Sequence, residues 1–390
     1  MGNLLGAPVT EKETHIGESR DDNGLQFGVS SMQGWRIHME DAHVAECRLF
    51  AAELVDETAA SETNNNNNKT YKQIELPGHS IFAVFDGHGG TFAAQYSGRN
   101  VCRVLSHQPK FVKYAKFMQE RAQKEKVFTK STERVQYITT GLEYIEGALR
   151  DTFVDLDMEI ASALQGSRIP EADQPYHEEK QIDAADDDRA TQGMDTRGGD
   201  PHQDTLSEAD STLQLLDKEG DSGTTACVVV VAPQWVVCAN AGDSRSVFSK
   251  HGHKAVPLSY DHKPDDEEEG RRIRAAGGYV AGGRVEGDLA VSRGLGDFRF
   301  KNMETVLAGA TGQNDKTSVD QMVEPDYQKV SPVPDVVIQN RSAEKDEFII
   351  VACDGIWDVQ TNHEAVKSVA EMFEEGETNL GLICEEVSTW

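Results

Sequence analysis

Two apolar runs in this chain each end in Asp-Gly, and that pairing constrains the fold more than any other feature. The first is His79-Ser80-Ile81-Phe82-Ala83-Val84, which leads into Phe85-Asp86-Gly87-His88-Gly89-Gly90. The second is Phe348-Ile349-Ile350-Val351-Ala352-Cys353, which leads into Asp354-Gly355. A short continuous apolar run bounded by a turn signal reads as a buried strand. Glycine after the aspartate lets the backbone approach an ion closely. His88 supplies an imidazole able to move a proton near neutral pH. Two strands of this kind could place two carboxylates around one metal cluster. Either Asp-Gly taken alone reads as an ordinary turn.

The 390 residues can bury a large core, in one big domain or two. A hydrophobic content of 38% is low for a compact domain and points to polar insertions. The net charge of -29 argues against a nucleic-acid partner, since phosphate backbones attract basic surfaces. It leaves a phosphate substrate open, because metal ions invert the local field. Cys47, Cys102, Cys227, Cys238, Cys353 and Cys384 form no Cys-x-x-Cys pair. They read as buried thiols of a reducing compartment, cytoplasm or nucleus. No apolar run is long enough to span a bilayer and no signal peptide is evident. Met1-Gly2 half-fits a myristoylation signal, with Gly6 at the preferred Ser or Thr position. An acylated Gly2 would give only weak membrane contact.

Residues 1–24 are polar and are expected to form a loose tail. Residues 25–30 and 42–49 read as strands, followed by a polar insertion at 56–73 that holds an asparagine run. Residues 91–105, 110–128 and 132–164 carry helical spacing, the last as one helix or two. The basic 110–128 segment reads as a solvated face rather than a docking site. Residues 166–220 are acidic and poor in aromatics, so a disordered insertion is expected there. Strands follow at 224–231, 235–240 and 244–250. Residues 264–276 read as a helix, with Pro264 at its start, acids early, arginines late and Gly277-Gly278 as the stop. Another polar insertion is expected at 302–334, then strands at 335–339 and 347–353. Thr361-Asn362-His363-Glu364 is a capping box. Runs of strands after runs of helices indicate an α+β class.

The Asp-Gly stretches belong to a longer ordered set. It begins with Ser31-Met32-Gln33-Gly34-Trp35-Arg36 and Met39-Glu40-Asp41-Ala42-His43, then residues 84–90. Ser222-Gly223-Thr224-Thr225-Ala226, Ala241-Gly242-Asp243-Ser244-Arg245 and Asp261-His262-Lys263-Pro264 come next. Leu289-Ala290-Val291-Ser292-Arg293-Gly294-Leu295-Gly296-Asp297 and Ala352-Cys353-Asp354-Gly355-Ile356-Trp357-Asp358 complete it. Together they resemble the metal-dependent type 2C protein serine/threonine phosphatases, in the family's order and over most of the chain from Leu25. The resemblance implies a four-layer αββα sandwich, two antiparallel sheets with helices on both outer faces and metals at one end. It implies a catalytic domain over 25–390, a monomer, and phosphorylated proteins as partners.

A phosphate monoester dianion repels an anionic nucleophile and hydrolyses very slowly unaided. On the resemblance, two Mg²⁺ or Mn²⁺ ions per site address this with hard oxygen ligands. Asp86 would bridge them, the Gly87 carbonyl would reach one, and Asp354 would bind the second. Glu40 would order water in the outer shell. Arg36 would hold the phosphate with its two-pronged guanidinium. His88 would protonate the leaving serine or threonine oxygen. Taken singly, Arg36 reads as a surface ion-pair partner, Glu40 as a solvated carboxylate and His88 as a loop imidazole.

Departures from the family pattern carry expectations too. The Ser222-Gly223-Thr224-Thr225 turn usually follows an aspartate that serves a third metal; here Gly220 takes that place and Asp221 comes one step late. Residues 261–297 resemble the family's mobile flap. No Asp-Asn pair follows Asp354, although in the family that aspartate is the last ligand of the second metal and a core strand follows it. The expectation is a missing C-terminal strand and an unpaired sheet edge. The rival reading is a catalytically impaired phosphoprotein-binding protein. Other phosphatase classes fit less well: no cysteine has arginine at the Cys-x5-Arg offset, and Asn362-His363-Glu364 belongs to the cap.

Overall fold

The computed structural model describes residues 4–19, 24–55, 70–124, 126, 130–164, 221–301 and 324–388. It opens with the antiparallel strands β1 (Leu4–Glu18) and β2 (Gln26–Arg36). Strands β3 (Ala42–Glu46), β4 (Leu49–Leu54), β5 (Tyr71–Leu76), β6 (Ser80–Phe85) and the short β7 (Gly87–His88) follow. Three helices come next: α1 (Phe92–His107), α2 (Pro109–Lys124) and α3 (Ser131–Leu164). After them run β8 (Gly223–Thr224), β9 (Ala226–Val231), β10 (Trp235–Ala241), β11 (Arg245–Lys250) and β12 (Lys254–Pro257). Helix α4 (Glu267–Ala275) leads into the short β13 (Val280–Ala281), β14 (Arg284–Val285) and β15 (Leu295–Gly296). The chain then forms β16 (Asp335–Asn340), β17 (Asp346–Ala352), α5 (Asp354–Trp357), α6 (Asn362–Glu374) and α7 (Leu380–Val387).

Two antiparallel sheets make the centre, ordered β16-β10-β9-β6-β3 and β12-β11-β17. Their layering follows from strand alternation. Along β9, Ala226, Val228 and Val230 face one core, and Cys227, Val229 and Val231 face another. The first core takes Val101, Leu105, Phe111, Phe153 and Leu156 from α1, α2 and α3. The second is shared with Phe248 and Ile349 of the smaller sheet. On β17 the other parity, Phe348 and Ile350, packs with Ala365 and Val366 of α6. Because successive side chains point to opposite faces, continuous apolar strands need cover on both sides. The result is helices, sheet, sheet, helices, the expected four layers.

Local features differ from the sequence reading in instructive ways. Residues 4–18 form a strand rather than a loose tail. Polar side chains gave no apolar period, but the backbone ladder with β2 and the cover of α7 hold the strand. Gly28 lies against the Leu380 backbone and Gly381 against Thr14 and Ile16. Residues 42–49 are two strands, not one: β3 joins the large sheet, while β4 pairs with β5. β5 starts inside the insertion expected at 56–73, and residues 324–334 of another expected insertion bury Val330, Ser331 and Val333. Residues 132–164 are a single helix. Among the described residues β17 lies at the edge of its sheet. Gly2, the asparagine run, residues 166–220 and residues 302–323 lie outside the described residues.

The basic face of α2 is largely neutralised. Lys110 pairs with Asp151 at 2.8 Å, Lys116 with Glu53, and Lys124 with Glu120. Arg121 lies over the Trp235 ring. No helix among the described residues is long and apolar enough to cross a membrane.

Candidate active site

Asp86 follows β6 and Asp354 opens α5 directly after β17, so two strands from different sheets deliver their aspartates to one place. The two carboxylates are close enough that each shifts the other's protonation. Burial, then the nearby charges of Asp41, Asp354 and Asp243, push the Asp86 carboxyl up to about 9. Burial also raises Asp354 and Asp41. Buried like charges keep protons unless a cation takes their place. That chemistry fits a hard divalent cation. Among the described residues no three Asp, Glu, His or Cys groups converge as a ready-made cage. The fit rests on the Asp86–Asp354 pair, with Asp41 and Asp243 adding to the field.

The backbone around Asp86 is pinned from β8 and the residue after it. The Asp86 N–H donates to Thr225 Oγ1 at 3.3 Å. Its carbonyl accepts from Thr224 Oγ1 at 3.1 Å and from the Thr225 N–H at 3.0 Å. Gly87 donates to Asp41 Oδ1 at 3.3 Å, and a Cβ there would overlap the Glu40 carbonyl. Only glycine allows that close approach. Glu40 Oε1 accepts the Gly90 N–H at 2.9 Å. The Glu40-Asp41 link and the Asp86–Gly90 turn are thus one unit.

His88 Nε2 sits 2.9 Å from both carboxylate oxygens of Asp297. Burial disfavours the charged ring, but the buried Asp297 carboxylate outweighs it and raises the His88 pKa. Arg36 ends β2 and is exposed. Gln33 Nε2 braces its turn by donating to the carbonyls of Arg36 and Ile37, each at 2.9 Å. Burial raises the Asp41 pKa, and the Arg36 charge reaches Asp41 only to offset a small part of that rise. All six residues singled out from sequence therefore fall on connected elements at one end of the sandwich. A cleft of about 560 Å³ opens beside α5, lined by Arg245, Trp357, Asp358 and the start of α6.

Three participants were not assigned roles from sequence: Asp297, Asp243 and Asp41. Each sits in a quoted motif, yet its partner lies far along the chain. Asp243 is buried and takes a bond from Lys263 Nζ at 2.5 Å. The 261–297 segment beside them is firmly built. Glu269 holds Arg272 and Arg293, each at 2.7 Å, over an apolar cluster that includes Ile273, Val285 and Phe300.

The family described as Protein phosphatase 2C matches residues 25–142 and 159–390. The chain belongs to the protein phosphatase 2C family. It is 33% identical over 95% of its length to "Protein phosphatase 2C homolog 2" of Aspergillus flavus, covering 59% of that protein. The protein of the same name in Hypocrea jecorina is 33% identical over 99% of the chain, which covers 61% of it. The chain thus spans about three fifths of these two relatives. Among solved structures, a serine-threonine phosphatase 2C from Toxoplasma gondii superposes with a TM-score of 0.52 at 18% identity, covering 99% of this chain and 92% of that one. That likeness concerns the fold. The family is metal-dependent.

Proposed function

We propose that this protein phosphatase 2C member hydrolyses phosphoserine and phosphothreonine esters of proteins, with Mg²⁺ or Mn²⁺ held at two positions. The observation that carries the reading is the half-buried Asp86–Asp354 pair, with Asp86 two residues from a histidine that a buried aspartate orients. Asp86, the Gly87 carbonyl and Asp354 would hold the ions, with Glu40 ordering water beside them. When bound, such ions would supply Lewis-acid polarisation of the phosphoryl group and activation of water.

The chain's own groups supply the rest. Arg36, at the exposed end of β2, binds the phosphate dianion with a two-pronged guanidinium. Asp297 favours the charged form of His88 against burial and orients its ring. The ring nitrogen not engaged by Asp297 gives its proton to the departing serine or threonine oxygen, which leaves poorly as an alkoxide. The inward faces of β6 and β17 are apolar, so the carboxylates sit on a rigid, partly dry floor.

Phosphate release from a phosphothreonine peptide, with Mn²⁺ or Mg²⁺ and then with EDTA, tests this. Turnover that needs metal and vanishes in Asp86→Ala is the expected result. A folded protein that binds the phosphopeptide without turning it over would instead establish the impaired binding protein.

A further inference from the structure

Lys301 and Asp157 form a buried ion pair that the chemistry above leaves unused. The Lys301 side chain is 0% exposed and that of Asp157 2%. Lys301 Nζ donates to Asp157 Oδ1 at 2.7 Å and to the Gly294 carbonyl at 2.9 Å. A buried ion pair is a weak device for stability, because desolvation offsets the attraction. Its position is more informative. Asp157 lies in α3, and its Oδ1 also accepts the Gly296 N–H at 2.8 Å. Both partners therefore grip the loop that ends at Asp297.

That loop has a demanding shape. Gly296 has φ 79 and Asp297 φ 54, and the left-handed region is costly for a residue with a Cβ. The Asp297 N–H donates to the Ser222 carbonyl at 3.1 Å. Its carboxylate then lies against Gly223 and bonds His88. A contact made on α3 thus fixes a loop, the loop fixes a carboxylate, and the carboxylate fixes an imidazole.

We propose that Lys301 and Asp157 are positioning residues for His88. They clamp residues 294–297 in the conformation that aims the Asp297 carboxylate at His88 Nε2. Neither touches substrate. The proposal rests on the reading of His88 as proton donor to the leaving oxygen.

The test uses the full chain with both charges removed together, Asp157→Leu with Lys301→Met, so that no lone charge stays buried. Two substrates are compared. A phosphothreonine peptide releases an alkoxide that needs a proton; p-nitrophenyl phosphate releases a phenolate that does not. The expected result is a fall of about 10-fold in peptide kcat with KM unchanged, and a change within about 2-fold for p-nitrophenyl phosphate. Asp157→Asn with Lys301→Met keeps an oxygen for the Gly296 N–H and should recover most of the peptide rate. The second readout is the ¹H–¹⁵N signal of the His88 imidazole, assigned by its loss in His88→Ala. It should move in the Leu/Met variant and return in the Asn/Met variant. Equal loss on both substrates, no loss on either, or an unmoved His88 signal overturns the proposal. If the Leu/Met variant does not fold, Lys301→Arg takes its place in the same two assays, and the same results support or overturn the proposal. If His88→Ala itself treats the two substrates alike, the proton-donor reading falls, and the His88 signal still decides the positioning claim.

Discussion

At the scale of single residues, close approach decides more than charge count. Gly223 is the sharpest case: a Cβ there would overlap the Asp297 carboxylate. Gly223→Ala should push that carboxylate off His88. We expect a folded protein with phosphopeptide kcat reduced about 10-fold or more, by analogy with small misplacements elsewhere. Kinetics beside a circular dichroism spectrum would check it, and an unchanged rate would show that Asp297 does not orient His88. The motif residues Ser222 to Ala226 were visible in sequence. That Gly223 serves as the bed for a carboxylate 74 positions later was not, because sequence carries no distance between segments.

At the scale of elements, local signals and tertiary networks make separate predictions. The capping box at Thr361 is present as read: Glu364 N–H bonds Thr361 Oγ1 and the Glu364 carboxylate bonds the Thr361 N–H at 2.9 Å. Thr361→Ala should cost about 1 kcal/mol, seen as a lower denaturant midpoint at constant slope. A midpoint unmoved by the substitution would mean that packing of Ala365 and Val366 alone holds α6. The 261–297 segment is different. Burial raises the Glu269 pKa, but Arg293 and Arg272 overcome this and hold the carboxyl at about 2. Its folded value lies below the unfolded one, so its contribution is present above about pH 4 and is lost as pH falls toward 2. Glu269→Gln leaves Arg272 without its counter-charge and Arg293 with only the half-exposed Asp335 at 2.8 Å, and should destabilise the segment by about 3 kcal/mol. Hydrogen exchange at α4 would report it, and unchanged protection would refute the network's role. The helix at α4 was legible from its proline, acids, arginines and glycines. The Glu269 network was not, since Arg293 pairs with it from across a loop.

At the scale of the whole molecule, the acidic cluster links metal, pH and stability. The Asp86 carboxyl rises from an unfolded value of about 3.9 to about 9. Between those values the folded state binds more protons than the unfolded one, so stability falls as pH rises through that window. Metal-free protein should therefore melt progressively lower from pH 5 to pH 9. The slope should be shallower in Asp86→Asn, and saturating Mg²⁺ or Mn²⁺ should flatten it in the wild type by binding the folded state. Identical slopes in the two proteins without metal would show that Asp86 is not the group responsible.

The sequence by itself marked most strands of the two central sheets, most helices, the family and the six candidate site residues, because periodicity, caps and ordered motifs are local. Polar hairpins escaped it: β1 has no apolar stripe and is held by a ladder and by α7, more than 350 positions away. Only the tertiary structure decided which carboxylates share a field and which aspartate holds His88. It alone shows that a buried lysine and a helix aspartate grip the loop between them. Those relations depend on through-space distances, such as the 2.9 Å between His88 and Asp297, 209 positions apart, and electrostatic coupling follows distance rather than position in the chain.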